Sequence, residues 1–323
     1  GDLNRSEVLQ SGDGADAKLN QSGIFNNSQI EQNADSFADV MQGGAYGDNN
    51  SQITQNANSA SATVNQSADS TFPTYFPTND SVILQNADAT ADVTQAGKQN
   101  YSTITQNIGA TGSTATVNQT NDFGDGFEDI NTSEIIQSGF AVSAEVSQDG
   151  TDLRSKVTQT GAFNNAEVTQ TGSDNESTIS QSATALSNAF VNQSGTGNAS
   201  TITQLPIGGH QANVRQGGNS NESIILQSGL ANETGTETES GVTQLGSNGF
   251  SEVTQAGGFQ SAFVEQLSTS VNARSVIDQG RNALFGGGFD QVAEVTQDGT
   301  DSDSFIRQRG ASQTAFVNQS GTN

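Results

Sequence analysis

The sequence predicts an all-β fold, a β-solenoid of about 13 stacked strand-turn-strand repeats forming two facing parallel sheets, and three observations predict it. A five-residue unit recurs 26 times in the 323 residues: Ser or Ala, any residue, an aliphatic, any residue, Gln. Its commonest spacing is 11 residues, as from Gln10 to Gln21 to Gln32. Successive units also alternate in kind, so the true period is a pair of about 22 residues.

The strands follow from the units themselves. Odd-numbered units open with Ser in all 13 cases and centre on Ile in 10, as in Ser102, Ile104 and Gln106. Even-numbered units open with Ala in 12 of 13 and centre on Val in 12, with Ser240 and Leu19 as the exceptions. Side chains alternate faces along a strand, so the first, third and fifth positions share one face. The centre is β-branched in 25 units, which suits a pleated strand and disfavours a helix. The expected inward ladder is therefore Ser6, Val8 and Gln10, then Ala17, Leu19 and Gln21, and so on through Ser102, Ile104 and Gln106. It continues through Ser155, Val157 and Gln159, then Ala166, Val168 and Gln170, and ends with Ser304, Ile306 and Gln308, then Ala315, Val317 and Gln319. The intervening positions range over Glu, Lys, Thr, Phe and Asn and are expected to point outward.

Between the strands, Gly, Asn, Asp and Ala in stretches such as 161–165 and 172–175 read as tight turns. An Asn recurs two residues before the opening Ser or Ala, at Asn26, Asn100, Asn164, Asn175, Asn198 and Asn221. It is expected either to tolerate left-handed backbone or to bond its own turn. Stacking such repeats adds about 4.8 Å each and brings equivalent Gln amides within reach of one another. A buried amide without a partner costs several kcal/mol, so a Gln repeated at this position implies a ladder. A lone repeat buries only two aliphatics and cannot fold; stacking makes up the deficit. The whole of 1–323 reads as one repeat domain, with loop insertions at about 67–80, 120–132, 228–239 and 280–292. The first carries Pro73 and Pro77, which cannot join a ladder.

Composition limits the function. Charged residues are 14% of the chain and mostly acidic, with a formal net charge of -25. That balance argues against nucleic acid as a partner, whose binding draws on Lys and Arg. There is no Cys, so neither disulfides nor thiolate metal sites are available. No apolar run approaches the roughly 18 residues that would cross a bilayer, and no membrane insertion is expected.

These residues resemble the curlin repeat, the unit of the major curli subunit of bacterial extracellular amyloid fibres. The family's Ser, Gln, Gly, an Asn-x-Ala turn exit and a final Gln are matched by Ser155, Gln159, Gly161, Asn164, Ala166 and Gln170. They are matched again by Ser28 to Gln32 with Ala34, Ala38 and Gln42. The resemblance covers essentially the whole chain. It departs from the family in its length, since the best-known members have about five repeats, and in its insertions, and no separate targeting segment is expected in the few residues before Ser6. What the resemblance implies is secretion, a homopolymeric fibre at the cell surface, and roles in biofilm matrix, adhesion and aggregation. It also implies a nucleating minor subunit and an outer-membrane secretion channel as partners.

Other candidates carry less. His210, the single histidine, sits in a turn with no triad or ligand pattern around it. Glu145 and Glu167 occupy equivalent outward slots, and a paired carboxylate can do acid-base work, but no cleft or basic clamp accompanies them. Asp122, Asp125, Glu128 and Asp129 lack the spacing of a calcium loop. Phe190, Phe263, Phe305 and Phe316 on outward slots, with Phe72, Tyr75 and Phe76 in the first insertion, suit lateral contacts or an adhesive surface. No catalytic residue, metal site or cofactor is expected. The alternatives are a non-polymerising solenoid adhesin or binding module and, with nothing in its favour, a β-helix carbohydrate enzyme. Head-to-tail stacking of complementary ends is the expected mode of assembly.

Overall fold

A computed structural model describes residues 3–44, 48–68, 79–121, 130–182, 186–206, 209–229, 241–280 and 290–322. The chain divides into two compact units, Gly1–Thr160 and Gly161–Asn323. The first holds β1 (Arg5–Gln10), β2 (Asp16–Gln21), β3 (Asn27–Gln32), β4 (Phe37–Gly43), β5 (Asn49–Gln55), β6 (Ser61–Ser67), β7 (Asn79–Gln85), β8 (Thr90–Gly97), β9 (Asn100–Gln106), β10 (Thr114–Asn121), β11 (Asn131–Gln137), β12 (Ser143–Thr151) and β13 (Arg154–Gln159). The second holds β14 (Asn165–Ser173), β15 (Glu176–Gln181), β16 (Asn188–Gln193), β17 (Ala199–Gln204), β18 (Gln211–Gln216), β19 (Glu222–Ser228), β20 (Gly241–Gln244), β21 (Phe250–Ala256), β22 (Ser261–Gln266), β23 (Arg274–Gly280), β24 (Val292–Thr300), β25 (Asp303–Arg309) and β26 (Thr314–Thr322).

Within each unit, odd strands pair only with odd strands and even with even, always in parallel. Each unit is thus a β-solenoid in which one coil contributes one strand to each of two sheets. Register is set by the five-residue unit: Ser28 lies opposite Ser51, Ile30 opposite Ile53 and Gln32 opposite Gln55. In unit 2, Ala189, Val191 and Gln193 align with Ala212, Val214 and Gln216. A slip of one residue would turn every Ile and Gln outward, so the buried face fixes the pairing.

The core lies between the sheets. Ile30, Ile53, Ile83, Ile104 and Ile135 form one column in unit 1, and Val40, Val64, Val93, Val117 and Val146 form the facing one, all buried. Ala at the opening position of even strands keeps the facing sheet close; Ala38, Ala62 and Ala91 are fully buried.

The arcs between strands share a device. In most of the described arcs the fourth residue after the Gln takes left-handed backbone: Phe25 (φ 64), Ser59 (φ 61) and Gln99 (φ 56) in unit 1, and Asp174 (φ 56), Ser220 (φ 54) and Phe259 (φ 52) in unit 2, whereas after Gln266 it is Asn272 (φ 56), two residues further on. This corrects one of the two expectations for the recurrent Asn. Asn26, Asn100 and Asn175 follow the left-handed residue and are themselves buried in the core. Two residues after the Gln comes a column of close approach, Gly172, Gly195 and Gly218, where a Cβ would overlap the carbonyl oxygen of the next coil's glycine. The strand flanks of the expected insertions are regular, with Ser67 closing β6 and Asn79 opening β7. Residues 69–78, 122–129, 230–240 and 281–289, the bulk of all four insertions, lie outside the described residues.

The glycine column yields a prediction. Gly195→Ala forces a Cβ onto a backbone carbonyl at φ +96. It should destabilise unit 2 by roughly 2 kcal/mol, read as a lower denaturation midpoint. An unchanged midpoint would mean that the arcs move apart without penalty.

Candidate functional site

The groups that recur with most regularity are the inward amides. In unit 1, Gln10, Gln32, Gln55, Gln85, Gln106, Gln137 and Gln159 form one column, each Nε2 donating to the Oε1 of the next at 2.8–3.0 Å. Gln21, Gln42, Gln66, Gln95, Gln119 and Gln148 form the second, at 2.8–2.9 Å. Unit 2 repeats the pattern from Gln181 to Gln308 and from Gln170 to Gln319.

The amide fits this spacing for a geometric reason. Its O and N are about 2.2 Å apart, and a hydrogen bond adds about 2.9 Å, so one slightly tilted amide spans the ~4.8 Å between strands. Its second N–H is also used. Gln42 Nε2 donates to Asn27 O at 2.9 Å, and Gln204 Nε2 to Asn188 O at 2.9 Å. Each Gln therefore ties its own strand to the backbone that opens a strand of the other sheet.

A second amide column escaped the sequence reading. Asn4, Asn26, Asn49, Asn79, Asn100 and Asn131 stack in unit 1, with Nδ2 of Asn49 on Asn26 Oδ1 at 2.9 Å and of Asn100 on Asn79 Oδ1 at 2.9 Å. In unit 2 Asn198 Nδ2 donates to Asn175 Oδ1 at 3.1 Å, while Asn198 Oδ1 accepts from the backbone N–H of Asn221, whose own Nδ2 donates to Gly217 O and Gly246 O. Asn26 Nδ2 also holds Ser22 O and Asn198 Nδ2 holds Ser194 O, so the Asn does bond its own turn. Its recurrence two residues before the strand was visible in the sequence; its inward direction was not.

Serine behaves differently. A single hydroxyl oxygen is too short to span ~4.8 Å from coil to coil as a continuous column. Ser51 Oγ reaches Ser28 Oγ at 3.0 Å, but the Oγ atoms of Ser81, Ser133, Ser155, Ser177, Ser200, Ser223, Ser251 and Ser304 are buried with no hydrogen-bond partner among the described residues.

The ladder residues named from the sequence occupy three environments. Ser102, Ile104, Gln106, Ser155, Val157, Gln159, Ala166, Val168 and Gln170 are buried, as are Ser304, Ile306 and Gln308. Ser6, Val8 and Gln10 are exposed on β1, and Ala17, Leu19 and Gln21 are half-buried on β2. Ala315, Val317 and Gln319 are half-buried on β26. These strands lie at sheet edges, with a neighbour on one side only.

The remaining candidates assemble no reactive centre. Phe305 and Phe316 are exposed, Phe190 and Phe263 half-buried, and Glu145 and Glu167 exposed on their own strands. Phe72, Tyr75, Phe76, Asp122, Asp125, Glu128 and Asp129 lie outside the described residues. Among the described residues no group of three His, Asp or Glu could hold a metal ion. No helix among the described residues is long and apolar enough to cross a membrane. A groove of about 350 Å³ lies where Gly241 leaves a gap in the outward row, lined by Asn192, Asn213, Arg215, Thr243 and Phe263. It holds no acid-base pair.

His210 is buried at 1% exposure, and neither ring nitrogen reaches hydrogen-bond geometry with a described residue. Burial pushes it below its ordinary value of 6.5, the Leu205 carbonyl pulling the other way. Its backbone joins the arc column, with Asn188 N on His210 O at 2.7 Å and His210 N on Ser187 Oγ at 3.1 Å. The ring fills the arc, held neutral.

The fold and its columns define a class of protein, a stacked-strand solenoid whose working parts are the hydrogen bonds between its own repeats. Residues 156–182 match the family model of the Curlin associated repeat. A search of curated proteins found no match.

Two predictions follow from the columns. Gln204→Leu strands the amide of Gln181 and the carbonyl of Asn188 and should cost about 2–5 kcal/mol, whereas Ser200→Ala removes an unpaired hydroxyl and should be neutral or stabilising by ~1 kcal/mol. Denaturant titration of both variants checks this, and equal losses would refute the distinction. The second concerns pH. Because folded His210 resists protonation, the unfolded chain binds more protons below about pH 6.5, so His210's share of stability is complete above that value and falls away beneath it. His210→Asn, which restores the residue type of Asn164, should flatten stability between pH 6.5 and 5.5; an unchanged slope would show that His210 is not its source.

Proposed function

We propose that this chain is the structural subunit of a secreted, curli-like amyloid fibre that grows by head-to-tail stacking of copies and serves cell-surface adhesion, aggregation and biofilm matrix. It is not an enzyme and needs no cofactor. Its principal partner is itself. The family resemblance adds a nucleating minor subunit and an outer-membrane secretion channel; nucleic acid binding and membrane insertion are not part of this reading.

The observation that carries the reading is the unbroken pair of glutamine columns running through each unit to an open edge. Strands β1 and β2 in unit 1, and β25 and β26 in unit 2, leave one side without a strand partner among the described residues. Soluble proteins normally cover, shorten or charge such edges. Here the exposed coils carry the same Ser, aliphatic and Gln or Ala, Val and Gln pattern as the buried ones, so the edges complement one another. A heterologous contact of this kind propagates without closing.

Negative-stain microscopy and a fibre-binding dye at neutral pH test the reading, with unbranched fibres expected and stable monomers the contrary result. The double variant Val8→Pro and Phe316→Pro removes a backbone donor that faces the open side of each edge strand, since Val292 N donates onward to Gln313 O and Phe316 shares its parity, and should slow growth by more than ~10-fold. The net charge of -25 opposes approach, so growth should quicken as salt shortens the screening length from about 30 Å at 0.01 M to about 10 Å at 0.1 M. Normal growth of the proline variant would instead place assembly on lateral contacts.

A further inference from the structure

The glutamine columns have a direction. In every Gln-to-Gln bond of both units, Nε2 belongs to the earlier coil and Oε1 to the later one, from Gln10 on Gln32 to Gln279 on Gln308 and from Gln21 on Gln42 to Gln297 on Gln319. Neighbouring backbone fixes this sense. The same Nε2 that serves the next coil also faces a carbonyl, as Gln106 faces Thr90 O and Gln216 faces Ala199 O, each at 2.9 Å. A flipped amide would set Oε1 against that carbonyl and leave two acceptors with no hydrogen between them. Amides aligned head to tail also polarise one another, so the columns favour a single sense throughout.

Direction makes the two open edges chemically different. On β1 and β2, Gln10 gives its hydrogens to Gln32 Oε1 and Ala15 O, and Gln21 to Gln42 Oε1 and Arg5 O. What remains facing outward is Oε1, an acceptor. On β25 and β26 the Oε1 atoms of Gln308 and Gln319 are taken by Gln279 and Gln297, while Nε2 bonds Val292 O and Asp303 O. What remains there is the second N–H, a donor. The asparagine column of unit 1 runs the opposite way, Asn26 onto Asn4 and Asn49 onto Asn26. It does not compete at the β25 edge, where register places Ser302 in that slot.

We infer that the chain is a polar building block: its β25/β26 edge is a pair of amide donors that fits the pair of amide acceptors on the β1/β2 edge of a second copy, in one orientation only. This rests on the reading of the chain as a fibre subunit and adds the sense of stacking and the groups that enforce it. Copies joined through like edges would meet with their strands antiparallel, which takes each glutamine out of line with its counterpart, so neither column would continue across the junction. The fibre therefore has two unlike ends.

Charge-matched variants separate this from general repulsion. Gln308→Glu with Gln319→Glu replaces both outward donors by carboxylate oxygens. Gln10→Glu with Gln21→Glu adds the same charge but keeps an acceptor at each outward position. Should that edge coil fray, Gln32 and Gln42 present the same acceptors one coil further in. Growth from labelled wild-type seeds, followed at single fibres by two-colour fluorescence microscopy, should fall more than ~10-fold for the first variant and within about threefold of wild type for the second. Mixed at a small fraction into wild type, the Gln308 and Gln319 variant should arrest one end of each seed and leave the other growing, which a misfolded chain would not do. Equal slowing by the two variants, no slowing by either, or arrest of both ends would overturn the inference while leaving the fibre reading intact. Wild-type seeds that fail to elongate would overturn both.

Discussion

The side-chain amide hydrogen bond between equivalent glutamines is the constraint on which the rest of the structure depends. A parallel stack offers each inward side chain its own copy ~4.8 Å away, and only a group with a donor and an acceptor about 2.2 Å apart closes that gap with one bond. Gln does so on the strands and Asn in the arcs. Ser does not, and its hydroxyls stay unpaired through most of the column. The buried Ile and Val rows supply apolar contact on the same face, but they set no direction and tolerate a shift along the stack. The amides tolerate neither.

Much of this was legible in the sequence because the strand signal and the ladder signal are one pattern. Ser102, Ile104 and Gln106 share a face at strand periodicity whatever lies between them, and the pairing of Ile30 with Ile53 and Gln32 with Gln55 is what equal units predict. The arcs were less legible. Side-chain direction in a turn has no fixed period, so nothing in the spacing of Asn26 or Asn198 said that the amide turns inward. Nor does residue type reveal the left-handed position. It is occupied by Phe25, Gln99 and Phe259, residues that ordinarily avoid positive φ. Stacking against neighbouring arcs determines the backbone there, and the side chain takes what it is given.

The same logic separates the interior of each unit from its edge. Interior coils have both ends of the column amide engaged, as at Gln55 and Gln204, and aliphatics fully enclosed, as at Ile53 and Val64. The edge coil on β1 carries the same unit with Val8 46% exposed. Identical chemistry in an open position is the geometric basis for reading the chain as a polymer subunit. His210 marks a place where the repeat departs from its own rule, setting a titratable ring where neighbouring coils set Asn164 and Ser187. That single substitution gives an otherwise neutral core a response to acid.

The most direct test of the amide columns is hydrogen exchange of the glutamine side chains, followed by NMR on ¹⁵N-labelled protein. If the columns hold the stack together, the Nε2 hydrogens of Gln32, Gln55, Gln204 and Gln244 exchange as slowly as the strand backbone around them, and those of Gln10 and Gln319 exchange much faster. Interior glutamine amides that exchange at the rate of free side chains, while the strand backbone stays protected, would contradict the account.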